Sequence, residues 1–251
     1  MDTSLYLTIA LGAVVAGFVQ GLSGFAFGLV AMSFWAWTVD PKLAAVLATS
    51  GALTGQVIAA VTVRRGFDKA LLLPFVAGGL VGVPVGVWLL PLVDIVIFKT
   101  LLGLLLVLWC PAMLFSRNLP KVTAGGRWAD AVAGWAGGVL GGIGGFSGAP
   151  PTLWCTLRGM QKDVQRAVVQ NFNLTMLSVA FALQVGTGLV STAMLPLIAM
   201  VAVCVLVPVL LGARLYIGIS EARFRQIVLG LLTASGVALL ASSLPVLLQR
   251  V

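Results

Sequence analysis

Gly17-Phe18-Val19-Gln20-Gly21-Leu22-Ser23-Gly24-Phe25-Ala26-Phe27-Gly28 interrupts a long apolar run with glycine. It has an echo in Gly137-Gly138-Val139-Leu140-Gly141-Gly142-Ile143-Gly144-Gly145-Phe146-Ser147-Gly148-Ala149-Pro150-Pro151. Laid over each other, Gly21-Leu22-Ser23-Gly24-Phe25 falls on Gly142-Ile143-Gly144-Gly145-Phe146, an offset of 121 residues. The offset carries further along the chain. Ser50 lands on Asn171, Pro74 matches Pro196, and Val83-Pro84-Val85 matches Val207-Pro208-Val209 after a small drift. The chain reads as one unit written twice, residues 1–120 and 121–251, within a single membrane domain.

Composition sets the solvent. Of 251 residues, 60% are hydrophobic and 9% charged, where a soluble domain carries about 25% charged residues. Several nearly uncharged runs reach the roughly 20 residues that a helix needs to cross a hydrocarbon core. The composition predicts a multispanning membrane protein. The net charge of +8 does not point to nucleic acid, because the cations sit in loops beside apolar segments, where orientation signals belong. Cys110, Cys155 and Cys204 lie far apart in apolar surroundings and read as small buried hydrophobes. There is no His and no metal-ligand spacing, so neither a metal nor a cofactor is expected. The apolar start, residues 5–19, runs on into a longer stretch, which argues against a cleaved signal peptide.

Eight apolar segments stand out: 5–39, 43–63, 70–92, 95–115, 129–157, 167–187, 189–211 and 227–248, with a polar link at 116–128. In lipid all should be helical, since only helices and closed barrels satisfy their backbone there. The first is too long for one crossing, about 52 Å at 1.5 Å per residue, and too short for two. It and the fifth are broken midway by glycines, each costing a helix about 1 kcal/mol. A half-helix, a glycine turn and a second half-helix make a re-entrant hairpin. The expected fold class is therefore all-α integral membrane: two inverted repeats, each a re-entrant Gly-rich helical hairpin plus three transmembrane helices.

Loop charge bears on the same point. If all eight segments cross, the cations divide seven to eight; if segments one and five re-enter, only Lys42, Lys99 and Arg250 oppose the other twelve. The positive-inside rule prefers the second arrangement, with a periplasmic amino end. One hairpin and three crossings make an odd unit, so the second copy is inverted, as in many transporters.

The second half-helices should start near Gly24 and Gly148 at the depth of the membrane centre. Helix amino termini offer free N–H groups and partial positive charge, and two facing ends suit an anion. The tips are Ser23-Gly24-Phe25 and Gly145-Phe146-Ser147. Gly21, Gly24, Gly144, Gly145 and Gly148 would let backbone approach a ligand, and Ser23 and Ser147 could add hydroxyls. The alternative is that these glycines serve close helix packing. The sixth segment opens with Arg166 and carries Gln170, Asn171 and Asn173, with Gln170 and Asn173 on one face. Their counterparts are Thr49, Ser50 and Thr54, with Gln56 nearby. Such groups either face a cavity or bond neighbouring helices. Asn171, Ser50 and Gln20 are the leading side-chain candidates for substrate contact. Arg166, near the cytoplasmic mouth, could draw anions or simply orient the chain. Trp154 is the tryptophan best placed to line a pathway.

The seven acids, Asp2, Asp40, Asp68, Asp94, Asp130, Asp163 and Glu221, sit at segment edges or in loops. A membrane proton relay normally uses Asp, Glu or His, and a cation would need a counter-charge; both absences favour an anion. An enzyme finds no general base and no metal set.

The doubled Gly motif, the connection Asp40-Pro41-Lys42-Leu43-Ala44-Ala45 and its partner Lys162-Asp163-Val164-Gln165-Arg166-Ala167 resemble the TauE/SafE family of membrane permeases. The Pro-containing third and seventh segments add to that likeness, which covers nearly the whole chain. The resemblance implies a bacterial inner-membrane transporter, often an exporter, of sulfite, sulfoacetate and other organosulfonates. Gln20 and Ser23 stand where a fuller glycine run is common in that family. Three sulfonate oxygens suit converging N–H and amide donors. The expected partners are a small anion and the lipid bilayer; a homodimer is the assembly the class suggests, although no residue argues it. An anion-selective channel and a non-transporting scaffold stay open as alternatives.

Overall fold

The computed structural model describes residues 3–62, 66–115, 121–122, 124–215 and 221–249. The described residues form ten α-helices and no strand: α1 Thr3–Ser23, α2 Phe27–Trp35, α3 Pro41–Thr62, α4 Lys69–Leu89, α5 Ile95–Phe115, α6 Gly126–Gly144, α7 Ala149–Leu157, α8 Lys162–Gly186, α9 Leu195–Leu215 and α10 Glu221–Leu248. Six spans, Ser4–Ser23, Pro41–Thr62, Lys69–Leu92, Ile95–Phe115, Asp163–Gly186 and Thr192–Leu215, are long and apolar enough to cross a membrane. This is a multi-pass membrane protein. Leu73, Val81, Trp88, Leu108, Val203 and Val207 stay exposed on its outside. With lipid as the alternative surroundings, close packing rather than escape from water holds such helices together.

The helix starts explain where the acids went. Asp40 Oδ1 accepts from the Lys42 and Leu43 amides, Asp68 Oδ1 from Ala70 and Leu71, and Asp94 Oδ1 from Val96 and Ile97. Each satisfies first-turn donors that have no partner within the helix. Asp130 breaks the pattern expected for the acids: it lies four residues inside α6 and is 3% exposed.

Both overlong segments break at the glycine motif, but not into equal halves. α1 has 21 residues and α2 has 9, while α6 has 19 and α7 has 9. At 1.5 Å per residue α1 is about 31 Å long and α2 about 14 Å, so one arm is a full-length helix and the other half of one. Each short arm doubles back on its long one. A methyl on Gly12 would strike the Trp35 indole at the far end of α2, and Asp130 of α6 is bonded by Trp154 and Arg158 at the far end of α7.

Glycine stripes knit the long arms to the bundle. Gly78, Gly82 and Gly86 of α4 lie against the backbone of Ala131, Trp135 and Val139, and Gly134, Gly138 and Gly142 of α6 against Phe75, Gly79 and Val83. On the other side Gly17 and Gly21 of α1 meet Val205, Val209 and Gly212 of α9. α1 on α9 thus mirrors α6 on α4. α3 on α9 likewise mirrors α8 on α4, while α3 packs on α8 and α5 on α10.

Loops gather at two places. The Val122 amide donates to the Leu157 carbonyl, Lys121 lies along Gly159, and Asn171 Nδ2 donates to the Gly66 carbonyl. The loop before α6 thus meets the loop before α8, and the loop before α4 reaches the first half of α8. The Lys99 ammonium sits 5.2 Å from the Trp37 ring centroid.

Candidate functional site

The two glycine breaks touch each other. A Cβ on Gly28 would fall 2.7 Å from the Gly145 carbonyl oxygen, and one on Gly148 would fall 2.6 Å from Phe25 Cβ. Gly24 (φ 85°) and Gly145 (φ 74°) make the turns in the left-handed region, which favours glycine. Each turn rests on a long helix near its middle. Gly24 faces Gln170 of α8, and Gly145 faces Ala48 and Thr49 of α3. Gln170 and Thr49 are themselves 121 residues apart, so the two seats correspond.

The side chains expected at the site divide into three groups. At the tips, Ser23 Oγ accepts from the Phe25 amide at 3.4 Å and the Ala26 amide at 3.2 Å, holding the first turn. Phe25 meets Trp109 edge to face at 5.6 Å. Phe146 is buried, Ser147 Oγ donates to Asn173 Oδ1 at 2.9 Å, and Gln170 and Asn173 are 2% and 1% exposed. Ser50 is buried on α3 and donates to its own helix at Leu47. A second group forms a cleft. A third turns elsewhere: Asn171, a leading candidate, donates to the Gly66 carbonyl in the loop before α4. Successive helical residues sit 100° apart, so Gln170 and Asn173 share a face that Asn171 leaves. Trp154 Nε1 donates to Asp130 Oδ1 at 2.7 Å, alongside the Arg158 ion pair at 2.7 Å. It closes the open end of the second hairpin rather than lining the tips.

The expectation of two facing helix amino termini that both donate to an anion meets a chemical obstacle at the second. α7 begins Ala149-Pro150-Pro151, and proline has no N–H. The Ala149 amide donates to the Phe146 carbonyl, and the Ala149 carbonyl accepts from Trp109 Nε1 at 2.9 Å. The first turn of α7 therefore offers an anion no free amide. α2, which begins Phe27-Gly28-Leu29, has no proline in its first turn, so the donors at the tips are unequal.

The cleft lies beside the first tip, between the carboxyl end of α1, α3, α8 and α9, and at ≈ 10 Å³ has room for about one water molecule. Gln20, Gly24, Gln56 and Arg166 give it its polar character, and Gly55 and Thr62 extend it along α3. Gln20 Nε2 donates to the Ala52 carbonyl at 2.8 Å, Gln56 Nε2 to the Gly24 carbonyl at 2.7 Å, and Arg166 Nη2 to the Gly21 carbonyl at 3.3 Å. Arg166 thus sits on the carboxyl end of α1, where a cation is favoured. The residues 121 further on from Gln20, Gly55 and Gln56 are Gly141, Met176 and Leu177. Gln20 and Gln56 therefore have no amide counterpart in the second half of the chain.

Sequence reasoning passed over Trp109, Gly55 and Gln56 as site residues. Gln56 was visible as a polar group one turn beyond Ala52. Trp109 had no signal, because only the packing of α5 brings it to Ala149.

Apolar spans beside a cleft whose one charge, among the described residues, is an arginine mark a polytopic membrane protein. The family model described as Sulfite exporter TauE/SafE matches residues 9–239, and the chain belongs to that family. That family implies an anion-exporter type of membrane transporter. No curated protein and no solved structure matches the chain.

Proposed function

We propose that this protein exports sulfite or a small organosulfonate across a bacterial inner membrane, binding it between the first hairpin tip and the cleft. The observation that carries this is the cleft itself: an arginine at one end, buried amides within, and a hairpin tip behind. An entering anion competes with the Gly21 carbonyl for the Arg166 guanidinium, exchanging a neutral acceptor for a charged one. The α2 amino terminus adds donors from the tip side.

The arrangement is two inverted repeats, residues 1–120 and 121–251, whose re-entrant hairpins approach from opposite ends, with the amino end periplasmic. The doubling back of α2 and α7 and the mirrored helix pairings support this. Access alternates as the hairpin tips separate. Contact of Gly28 with Gly145 and of Gly148 with Phe25 behind the cleft favours a carrier over an open channel.

The test is thermal unfolding of detergent-purified protein with sulfoacetate, taurine, isethionate, sulfite, sulfate, acetate and chloride. A ligand at 100 times its Kd adds about 2.7 kcal/mol of stability. Stabilisation is expected from sulfite or the sulfonates and not from acetate or chloride. Arg166→Gln should weaken it by about tenfold to a hundredfold, the size of a lost charge-assisted hydrogen bond. A folded protein that no anion stabilises would overturn the proposal.

A further inference from the structure

Gln20 is the unfinished residue of the cleft. Its side chain is 3% exposed, and its Oε1 is buried without a hydrogen-bond donor. Its orientation is fixed, because Nε2 is held by the Ala52 carbonyl at 2.8 Å and a flipped amide would set two acceptors against each other. Gly55 gives the oxygen its room, since a side chain there would collide with the carboxamide. The wall therefore offers Arg166 for negative charge and, beside the tip, an acceptor waiting for a proton. A fully ionised anion without a donor leaves that oxygen unsatisfied, and its burial makes this costly.

We infer that Gln20 Oε1 is a specificity-determining acceptor, and that the cleft selects anions carrying an O–H or N–H: hydrogensulfite over sulfite, and hydroxy- or aminoalkanesulfonates over plain alkanesulfonates. The inference rests on the cleft being the substrate site. It also supplies what the chain lacks. Among the described residues lining the cleft, α1, α3 and α9 contribute no carboxylate, thiol or amine, and α8 contributes the Arg166 guanidinium. With hydrogensulfite as the ligand, the proton travels on the substrate. It is taken up from water on one side and released to water on the other, and no group of the protein gains or loses it.

The experiment compares isethionate with ethanesulfonate on the full chain in detergent, two sulfonates of similar size that differ by one hydroxyl. Wild type should bind isethionate about tenfold or more tightly, and Gln20→Met should bring the two within about twofold. Unliganded melting shows whether Gln20→Met folds, and the wild-type comparison stands without it. For sulfite, half-saturating total concentration should rise with pH in step with loss of hydrogensulfite, while isethionate binding stays flat. Equal binding of the two sulfonates by wild type, lost in Arg166→Gln, overturns the role of Gln20 and leaves the cleft as the site. Binding of neither sulfonate nor sulfite overturns both.

Discussion

At the scale of single residues, glycine has several jobs in this chain, and contact geometry separates them. Gly55 makes room for the Gln20 carboxamide, while Gly230 of α10 has nothing within 4 Å of where its Cβ would be. Gly55→Ala should push Gln20 off the Ala52 carbonyl and destabilise the protein by about 1–3 kcal/mol. Anion-induced stabilisation should fall with it. Gly230→Ala removes only helix-interior flexibility and should be neutral or stabilising by up to about 1 kcal/mol. Melting midpoints of the two variants, with and without isethionate, test this; equal effects would mean that the room at Gly55 is unimportant. Sequence alone showed that the motif was glycine-rich but not which glycine did what. Gly24 and Gly145 are turns, whereas Gly21 and Gly142 are pressed against neighbouring backbone. The amides at 170, 171 and 173 were equally ambiguous, because a string of three polar residues states their chemistry but not the direction in which the helix presents each.

At the scale of elements, the break in each overlong segment was legible because an unbroken helix of about 52 Å fits no single crossing. The inequality of the arms was not, since apolar residues continue through both. Pro150 and Pro151 were in plain view, however, and proline at the start of α7 already removes the amides that an equivalent anion seat would need. The latch on the second hairpin joins residues too distant in sequence to be paired by pattern. Asp130, 4% exposed at its side chain, takes Arg158 Nη1 on both oxygens and Trp154 Nε1 on one. Asp130→Asn should lower stability by about 2–3 kcal/mol, less than a fully buried pair because Arg158 keeps some water contact. Trp154→Phe should lose about 1–3 kcal/mol through one hydrogen bond to a charged group. Denaturant midpoints measure both, and the isethionate Kd should stay near wild type. Loss of binding with unchanged stability would instead place these residues in the transport path.

At the scale of the whole molecule, the mirrored pairings and the cation distribution make one claim about topology. Lys99 lies over Trp37, five residues before Lys42, whereas Lys121 lies along Gly159 beside Arg158, and Ala167, next to Arg166, faces Gly66 in the loop before α4. The loop charges were readable in the sequence because they are local; the helix pairings were not, being long-range. In a variant with Cys110, Cys155 and Cys204 replaced, Lys42→Cys and Lys99→Cys should react with an impermeant thiol reagent added to whole cells. Lys69→Cys and Arg214→Cys should react only after the membrane is opened. An odd unit of one re-entrant hairpin and three crossings requires that division, because α3 must separate Lys42 from Lys69 while α1 with α2 leaves the chain on the side where it began. If Lys42→Cys and Arg214→Cys label from the same side, the two repeats are not inverted. The cleft would then have no counterpart state in which to open on the opposite face.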